Sequence, residues 1–440
     1  MATRNILSSR FGRLATFGIL YVAEGIPLGF TAVAMAAYMR RDGLDVAQVS
    51  AFVAMLYLPW AFKWAWAPLI DLFKLDRLGG RKAWIVGSLI IMILTLFAAG
   101  FIDFVNQFEL LLALILIHNI FAATQDVAID SLAVSTLEPN ERGTGNGFMF
   151  GGAYIGQGLG GGGAMFVAGY WGFEAALIYA CTLLSLIGLF ALVFVRDPDL
   201  SHRAASAIGD LMTSLVHAVV RFLVELKKGF FSSGPGPIFG VVFALTPLGA
   251  MALTNSIGTT MQVDYGLDDT QIAQVNVYST LLSGFACVIG GWLGDRFGLR
   301  KVIAVFYALT ALPTLYLATL ISGDAGLAGV PMSALYTCIL TLSFFTGLHY
   351  GTTAAVYMGL TNPLVAATQF TGFMALANLT IAYTNLWQGQ VAQAFGFSTV
   401  LYIDAVLVVV PILVLPFLTP RRAFSSDDAP STGRPLPEAG

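Results

Sequence analysis

Long apolar stretches alternate with short polar connections along most of the 440-residue chain. A membrane-spanning α-helix needs about 20 predominantly apolar residues to cross the hydrocarbon core. The pattern therefore predicts an all-α membrane protein with twelve transmembrane helices in two six-helix halves. The predicted spans are 14–38, 48–72, 83–103, 108–135, 146–169, 173–195, 236–261, 271–294, 301–321, 330–353, 367–392 and 397–418.

A long polar segment separates the sixth predicted span from the seventh. We expect an N-terminal half at 1–195, a cytoplasmic linker at 196–235, a C-terminal half at 236–419 and a tail at 420–440. Within the linker, "GDLMTSLVHAVVRFLVELKKGFF" has apolar residues at helical spacing, which predicts an amphipathic helix along the membrane face. The tail is polar and rich in Pro and Gly, which predicts disorder.

Composition agrees with a lipid environment, because 57% of the residues are hydrophobic and only 11% are charged. Soluble domains carry about a quarter charged residues, so a soluble globule is excluded. The net charge of −3 leaves no basic face for a nucleic acid, and we expect no nucleic-acid partner. The three cysteines are scattered and no catalytic motif occurs in the sequence. We therefore expect no metal site, no cofactor and no enzymatic activity.

The placement of Lys and Arg residues predicts the orientation of the chain. If both termini are cytoplasmic, nearly all of these residues fall in cytoplasmic loops, as the positive-inside rule requires. Only Arg40 and Arg41 fall outside, and Lys63 falls within a span. We therefore expect a multi-pass protein with both termini in the cytoplasm.

Three charged residues lie deep within the predicted spans of the N-terminal half, where each costs about 2.5 to 3.5 kcal/mol at a helix centre. Glu24, Lys63 and Asp126 share a depth of about 13 to 15 Å from the cytoplasmic end of their spans. Our hypothesis is that Lys63 pairs with Asp126 or Glu24 while the unpaired acid takes up a proton, which makes Glu24 and Asp126 the proton-coupling candidates. Alternatively, Lys63 extends its ammonium group to the headgroups. Asp130 lies one turn nearer the cytoplasm, where a structural role is an equal alternative.

Neutral polar and aromatic residues mark predicted spans ten and eleven in the C-terminal half. Such groups suit a bulky polar ligand, and His349 could also titrate near neutral pH, although a lone His is often a packing residue. A glycine-rich run from Gly156, "GQGLGGGG", is interpreted as close helix packing rather than as a nucleotide-binding loop. The candidate substrate-cavity residues are Lys63, Gln125, Asp130, His349, Tyr350, Tyr357, Asn378, Tyr383, Asn385, Trp387 and Gln388.

A turn with an acid followed by basic residues occurs at equivalent places in the two halves. "APLIDLFKLDRLGGRKAW" follows the second predicted span, and "GGWLGDRFGLRKV" ends the eighth. Two copies in two six-span halves are typical of a transporter built from parallel repeats. The residues of this turn are Asp71, Arg77, Arg81, Lys82, Asp295, Arg296, Arg300 and Lys301. On their own, the acids could cap helix ends and the basic residues could serve membrane topology.

This repeated turn resembles the loop signature of the major facilitator superfamily. The resemblance implies a role in conformational gating, so we call the turn the candidate gating loop. Three further stretches, "EGIPLGF", "FKWAWAPLIDLF" and "ATQDVAIDSLAVSTLEPNERGTGNG", look like the superfamily's peptide, acetyl-CoA and drug transporter branch, which includes AmpG-type muropeptide permeases and siderophore permeases. That branch often has an uncharged polar residue where this chain has Glu24. Residues that match the branch motifs are Trp64, Pro68, Asp71, Arg81, Lys82, Gln125, Asp126 and Asp130.

The resemblance implies a transporter of the bacterial inner membrane that works by alternating access, with protons and a small-molecule substrate as partners. We expect a monomer that takes up a bulky polar solute such as an anhydromuropeptide. The alternatives are a siderophore permease, an acetyl-CoA or drug transporter and, from another class, a membrane sensor that transports nothing.

Overall fold

The computed structural model describes residues 5–67, 70, 79–138, 142–197, 216–217, 219–220, 223–224, 227, 230–231, 235–361 and 366–418. These residues form helices joined by turns, and no β-strand occurs among them. The prediction of an all-α protein is confirmed. Two candidate gating residues, Asp71 and Arg77, lie outside the described residues, as does the tail at 420–440.

Helical segments occur at each of the twelve predicted spans, which we number 1 to 12 in chain order. Spans 1 and 5 each contain a π-helical turn between two α-helical segments. The segments are Arg10–Gly29, Phe30–Met35 and Ala36–Arg41 (span 1), Val46–Phe62 (2), Arg81–Ala99 (3), Phe108–Thr136 (4), Arg142–Gly158, Leu159–Gly163 and Ala164–Trp171 (5), Phe173–Phe194 (6), Pro235–Ala244 and Gly258–Asp264 (7), Asp269–Phe297 (8), Leu299–Ile321 (9), Met332–Leu360 (10), Ala366–Leu407 (11 and the start of 12) and Val409–Val414 (12).

Nine helical stretches in the described part of the chain are long and apolar enough to cross a membrane. One of them, Gln369–Phe417, contains both span 11 and span 12. The two spans are separated at Gly396, whose φ of 83° is not helical. Glycine-rich span 5 and interrupted span 7 fall outside this group. The chain is thus a multi-pass membrane protein.

Span 7 differs from its prediction as one continuous helix over 236–261. Its two helical segments, Pro235–Ala244 and Gly258–Asp264, are separated by turns and irregular backbone at 245–257. The apolar stretch 236–261 predicted a helix, but several backbone groups in and beside the interruption bond to side chains of other spans instead. Thr380 donates its hydroxyl to the carbonyl of Ala244 at 2.7 Å, and the amide of Ala250 donates to Thr310 Oγ1 at 2.9 Å.

Spans 1 and 5 pack against each other at backbone distance in the N-terminal half. A Cβ atom at Gly25 would lie 2.0 Å from the carbonyl oxygen of Ala153, and one at Gly156 would lie 2.3 Å from that of Val22. Small residues allow such an approach between membrane helices. The interpretation of the glycine-rich run from Gly156 as close helix packing is confirmed.

Two symmetry-related helix pairs form much of the contact between the halves. Span 2 of the N-terminal half packs along span 11, and span 5 packs along span 8. Spans 2 and 8 hold the same position in their halves, as do spans 5 and 11. The interface between the halves therefore has the approximate two-fold relation expected of a parallel repeat.

Hydrogen bonds and ion pairs join the halves at the end of the molecule formed by residues 38–50 and 255–276, which we call the closed end. Arg40 binds both carboxylate oxygens of Asp264, at 2.6 and 2.7 Å. Arg41 forms an ion pair with Asp269, which also accepts a hydrogen bond from the hydroxyl of Tyr38 at 2.9 Å. Such bidentate pairing fixes the relative position of two surfaces.

Both π-helical turns take part in this contact between the halves. The amide of Gly162 in span 5 donates to Asn276 Oδ1 at 2.7 Å, and the carbonyl of Ala32 in span 1 accepts from Thr259 Oγ1 at 3.1 Å. A π-helical turn inserts a residue into the regular hydrogen-bond ladder and is frequent at functional sites. Here each turn offers a backbone group to a side chain of the other half.

Replacing Gly389 by alanine is expected to separate the halves at the closed end without unfolding either half. A Cβ atom at Gly389 in span 11 would lie 2.3 Å from the Cβ of Ser50 in span 2. Overpacking costs about 1 to 3 kcal/mol, and separation of the halves relieves it, so the separated population should rise at least about fivefold. Spin-label distances across the closed end measure this shift. The control is Gly284→Ala, where a Cβ atom meets no atom within 4 Å; equal distances in both variants would contradict the prediction.

Candidate functional site

An ion pair between Lys63 and Asp126 lies at the centre of the candidate site. Lys63 stands directly after the helix Val46–Phe62 of span 2, in a short 3₁₀ turn. Its ammonium group donates to Asp126 Oδ2 of span 4. Of the two pairings that the sequence left open, the structure therefore contains the one with Asp126. The Asp126 side chain is 4% accessible and the Lys63 side chain is 22% accessible, so solvent reaches this ion pair mainly at the lysine.

Two further acids lie beside this ion pair. Lys63, Asp126 and Asp130 are all close enough to Glu24 for their charges to act on it. Glu24 Oε2 is buried and has no hydrogen-bond partner among the described residues. Asp130 Oδ1 accepts a hydrogen bond from the hydroxyl of Tyr21 at 2.5 Å. The site thus holds one paired carboxylate, one bonded to a phenol and one with an unpaired oxygen.

A tyrosine from the C-terminal half faces this charged cluster. Tyr350 of span 10 lies within charge-interaction range of Glu24 and Lys63, and also close to Tyr57 and Tyr154 of the N-terminal half. Its side chain is nevertheless 40% exposed. An exposed side chain among residues of both halves indicates an accessible space between them, which Tyr350 and Lys63 line.

Two other candidates on span 10 lie in the aromatic packing of the C-terminal half. His349 is buried, packs edge-on against Tyr307 with ring centroids 4.9 Å apart, and has both ring nitrogens unbonded among the described groups. Tyr357 is buried and stacks on Phe373, with centroids 5.1 Å apart. A continuous aromatic cluster therefore holds these two side chains inside their own half.

The candidates on span 11 divide into four environments. Asn385 is buried with both side-chain amide atoms unbonded among the described groups, and Gln125 of span 4 has the same character. Tyr383 is partly exposed and donates its hydroxyl to the carbonyl of Leu245 at 2.5 Å. Gln388 is completely buried and hydrogen-bonded on both sides. The remaining two, Asn378 and Trp387, are of intermediate burial.

The described part of the candidate gating loop ties helix ends together within the N-terminal half. Arg81 bonds to Asp197 after span 6, through its backbone amide at 2.8 Å and its guanidinium at 3.2 Å, and to Ser135 Oγ of span 4 at 2.9 Å. Lys82 donates to the carbonyl of Leu192 at 3.4 Å. These contacts fix the start of span 3 to the ends of spans 4 and 6.

In the second copy of the gating loop, the backbone of Asp295 lies in the last turns of span 8. The basic residues of this copy lie at the end of span 8 and the start of span 9. Arg296 lies over the rings of Trp292 and Phe297, at 5.5 and 5.6 Å. Arg300 and Lys301 are exposed on the first turn of span 9. Cation–π contacts therefore hold Arg296 at this helix end.

Several polar residues of the site were not among the sequence candidates. Tyr21 lies three residues before Glu24, and therefore on the same helix face, which was a usable signal. Tyr57 donates to Asn255 Oδ1 across the halves at 3.3 Å. No spacing rule links residues of two halves that are about 200 positions apart, so only the folded chain brings them together.

The two-half helical fold, with charged groups between its halves, defines a secondary transporter of small molecules. The family model described as Major Facilitator Superfamily matches residues 17–235 and 239–439. The chain belongs to this superfamily, and the resemblance predicted from the sequence is confirmed.

Relatives of known name support the same class. The chain is 27% identical over 418 residues to the anhydromuropeptide permease of Escherichia coli K12, covering 92% of this chain and 79% of the relative. It is 22% identical over 421 residues to a chain of Rickettsia conorii that carries the transporter name AmpG 4, covering 93% and 97% of the two chains.

Solved structures agree on the fold. The nucleoside transporter NupG superposes with a TM-score of 0.65 at 15% identity, covering 92% of this chain and 99% of that one. A D-xylose–proton symporter superposes with a TM-score of 0.67 at 12% identity, covering 93% and 97%. The predicted major facilitator fold is therefore confirmed.

Proposed function

We propose that this transporter takes up an anhydromuropeptide, or a closely similar amino-sugar peptide, into the bacterial cytoplasm together with protons. It would act as a monomer in the inner membrane with both termini cytoplasmic, the orientation that the Lys and Arg residues favour. The substrate class is supported by the similarity to the E. coli permease over 92% of this chain. In this orientation the closed end faces outward.

The proton step is carried by one observation: Glu24 has an unpaired, buried carboxyl oxygen beside the Lys63–Asp126 ion pair. A buried carboxylate without a partner is costly in a protein interior, and protonation removes the cost. If a proton moves to Asp126, its bond to Lys63 is weakened, and Lys63 becomes free to bind an anionic substrate group or Glu24. Glu24 and Asp126 therefore act together as the coupling pair, while Asp130 is held by Tyr21.

The substrate would lie between the halves, against Lys63 on one side and Tyr350 on the other. Lys63 supplies a cation for a carboxylate, and tyrosine rings supply flat surfaces and hydroxyls for sugar or peptide groups. A muropeptide carries all three kinds of group. Asn385 and Gln125 add amide groups that have no partner among the described residues.

Transport by purified protein in liposomes tests the proposal. Labelled anhydromuropeptide should accumulate when the liposomes carry an imposed pH gradient, and unlabelled ferric siderophore or acyl-CoA should not compete. Accumulation of one of those compounds instead would replace the substrate assignment. Binding of a ligand without any accumulation would indicate a sensor and would refute transport.

Neutral variants test the coupling residues. Asp126→Asn and Glu24→Gln are each expected to reduce gradient-driven uptake at least about a hundredfold while exchange without a gradient continues, because a carried proton is part of the driven cycle alone. The matched control is Glu174→Gln, an exposed carboxyl at the start of span 6. Driven uptake at the wild-type rate in both variants would show that neither acid carries the proton.

A further inference from the structure

A completely buried carboxylate, that of Asp404 in span 12, is used by none of the steps above. It accepts hydrogen bonds from the amide of Ala252 at 2.8 Å, from Gln388 Nε2 at 2.6 Å and from the amide of Met251. No Lys, Arg or His of the described chain forms an ion pair with it within the limits of a salt bridge. Its partners are therefore backbone and amide donors of spans 7 and 11.

The two amide donors belong to the irregular segment 245–257 that interrupts span 7. In a membrane, each backbone N–H must find a partner inside the protein, because lipid offers none. The carbonyls of Ala244 and Leu245, where the interruption begins, accept from Thr380 and Tyr383 of span 11, and the amide of Ala250 donates to Thr310 Oγ1 of span 9. Asp404 completes this set by binding the next amides, so the shape of the interruption depends on it.

A chain of hydrogen bonds leads from Asp404 to the other half. Gln388 donates to Asp404 with its Nε2, and its Oε1 accepts from the hydroxyl of Ser256 at 2.7 Å. The carbonyl of Ser256 in turn accepts from the hydroxyl of Ser50 in span 2 at 2.9 Å. The Asp404 oxygens accept from Gln388 Nε2 on one side and from the amide of Ala252 on the other, so the oxygen end of the Gln388 amide faces Ser256.

We propose that Asp404 is a positioning residue for alternating access: it fixes the interrupted part of span 7 so that Ser256 meets Ser50 and the two halves close at the closed end. The proposal rests on the alternating access of the proposed function, but it concerns a contact between halves that needs no substrate. Ser50 lies beside Gly389 of span 11, so this contact belongs to the close packing of spans 2 and 11 at the closed end.

The test measures the distance across the closed end without substrate or gradient. Spin labels are placed at the exposed positions Val105 and Asp324, one in each half, after the three free cysteines are replaced by alanine. Loss of one buried hydrogen bond in Ser50→Ala should raise the separated population about fivefold. Asp404→Ala removes the acceptor of several donors and should raise it at least about tenfold.

Two comparisons separate positioning from general damage to the fold. In Asp404→Asn, the side-chain carbonyl can still accept from Ala252, and the side-chain amide can donate to Gln388 once the Gln388 amide is reversed. The separated population should therefore lie within about threefold of its wild-type value. The matched control for Ser50→Ala is Ser343→Ala, a buried hydroxyl that bonds to Ile339 within its own helix. This control should leave the distances unchanged.

Combination of the variants decides whether Asp404 acts through Ser50. If it does, adding Ser50→Ala to Asp404→Ala changes the distances no further, whereas independent effects would multiply. If Asp404→Ala does not fold, Gln388→Met replaces it, and its effect should again be non-additive with Ser50→Ala. Unchanged distances in the folded variants, or effects that multiply, would overturn the proposal. Failure of muropeptide uptake would refute the substrate assignment and leave this result standing.

Discussion

Replacement of Lys63 by methionine is expected to lower the free energy of unfolding by about 3 kcal/mol and to abolish driven uptake. Breaking a buried ion pair costs about 3 to 5 kcal/mol because the remaining charge is left without compensation. The low end applies here, since the Lys63 side chain is 22% accessible and water reaches part of the pair. Thermal unfolding in detergent measures the first effect, and gradient-driven uptake in liposomes measures the second.

The double variant Lys63→Met/Asp126→Leu separates stability from transport. Removal of both charges eliminates the unpaired carboxylate, so most of the lost stability should return, because replacing a whole buried pair by apolar groups is often neutral. Uptake should remain absent, since neither the cation nor the proton carrier is present. Lys301→Met, the same change at an exposed position, is the control. If Lys63→Met alone kept both stability and uptake, the ion pair would have no role in either.

Replacement of Gly156 by alanine is expected to prevent correct assembly of the N-terminal half. The new methyl carbon would lie 2.3 Å from the carbonyl oxygen of Val22 and 2.9 Å from the Cα of Gly25. These atoms belong to the backbone of span 1 and cannot rotate away, so the two helices must separate along their length. We expect a loss of about 3 kcal/mol or more, the upper range for overpacking, and little folded protein after purification.

Gly151→Ala is the matched control on the same helix. No atom lies within 4 Å of a Cβ atom at Gly151, and the residue is exposed. Alanine favours the helix over glycine by about 1 kcal/mol, so this variant should be as stable as the wild type or more stable. Measurement of monodisperse protein yield and of the unfolding temperature for both variants tests the prediction. Equal values for Gly156→Ala and Gly151→Ala would show that spans 1 and 5 are not packed at backbone distance.

Much of the fold could be predicted from the sequence because lipid imposes a simple rule of length and apolarity on each span. Span 9, predicted at 301–321, is a helix at Leu299–Ile321, and span 6, predicted at 173–195, is a helix at Phe173–Phe194. The interruption of span 7 escaped this rule because the prediction treated 236–261 as one apolar stretch and gave no weight to Pro247 and Gly249 within it. Its partners, Thr310, Thr380 and Asp404, come from three later spans, and hydropathy carries no information about them.

One contact within the candidate site could be anticipated because a single half supplies both residues. Equal depth in neighbouring spans predicted that Lys63 pairs with Asp126 or Glu24, and the structure contains the pair with Asp126. Depth does not determine which way a side chain points around its helix. Sequence therefore could not distinguish Tyr350, which lines the space between the halves, from His349, which lies in the aromatic cluster of its own half.

The pairing of span 2 with span 11 and of span 5 with span 8 has a consequence for the genetics of this protein. Each contact joins two helices from different halves, and the approximate two-fold relation makes the two contacts equivalent, so damage on one side of the interface can be relieved on the other. Revertants of a defective Gly389 variant should carry second changes in span 2 around Ser50. Defects at Gly161, where a side chain would meet Asn276, should be relieved by smaller residues in span 8. The map of such suppressors would reproduce the two-fold relation of the halves.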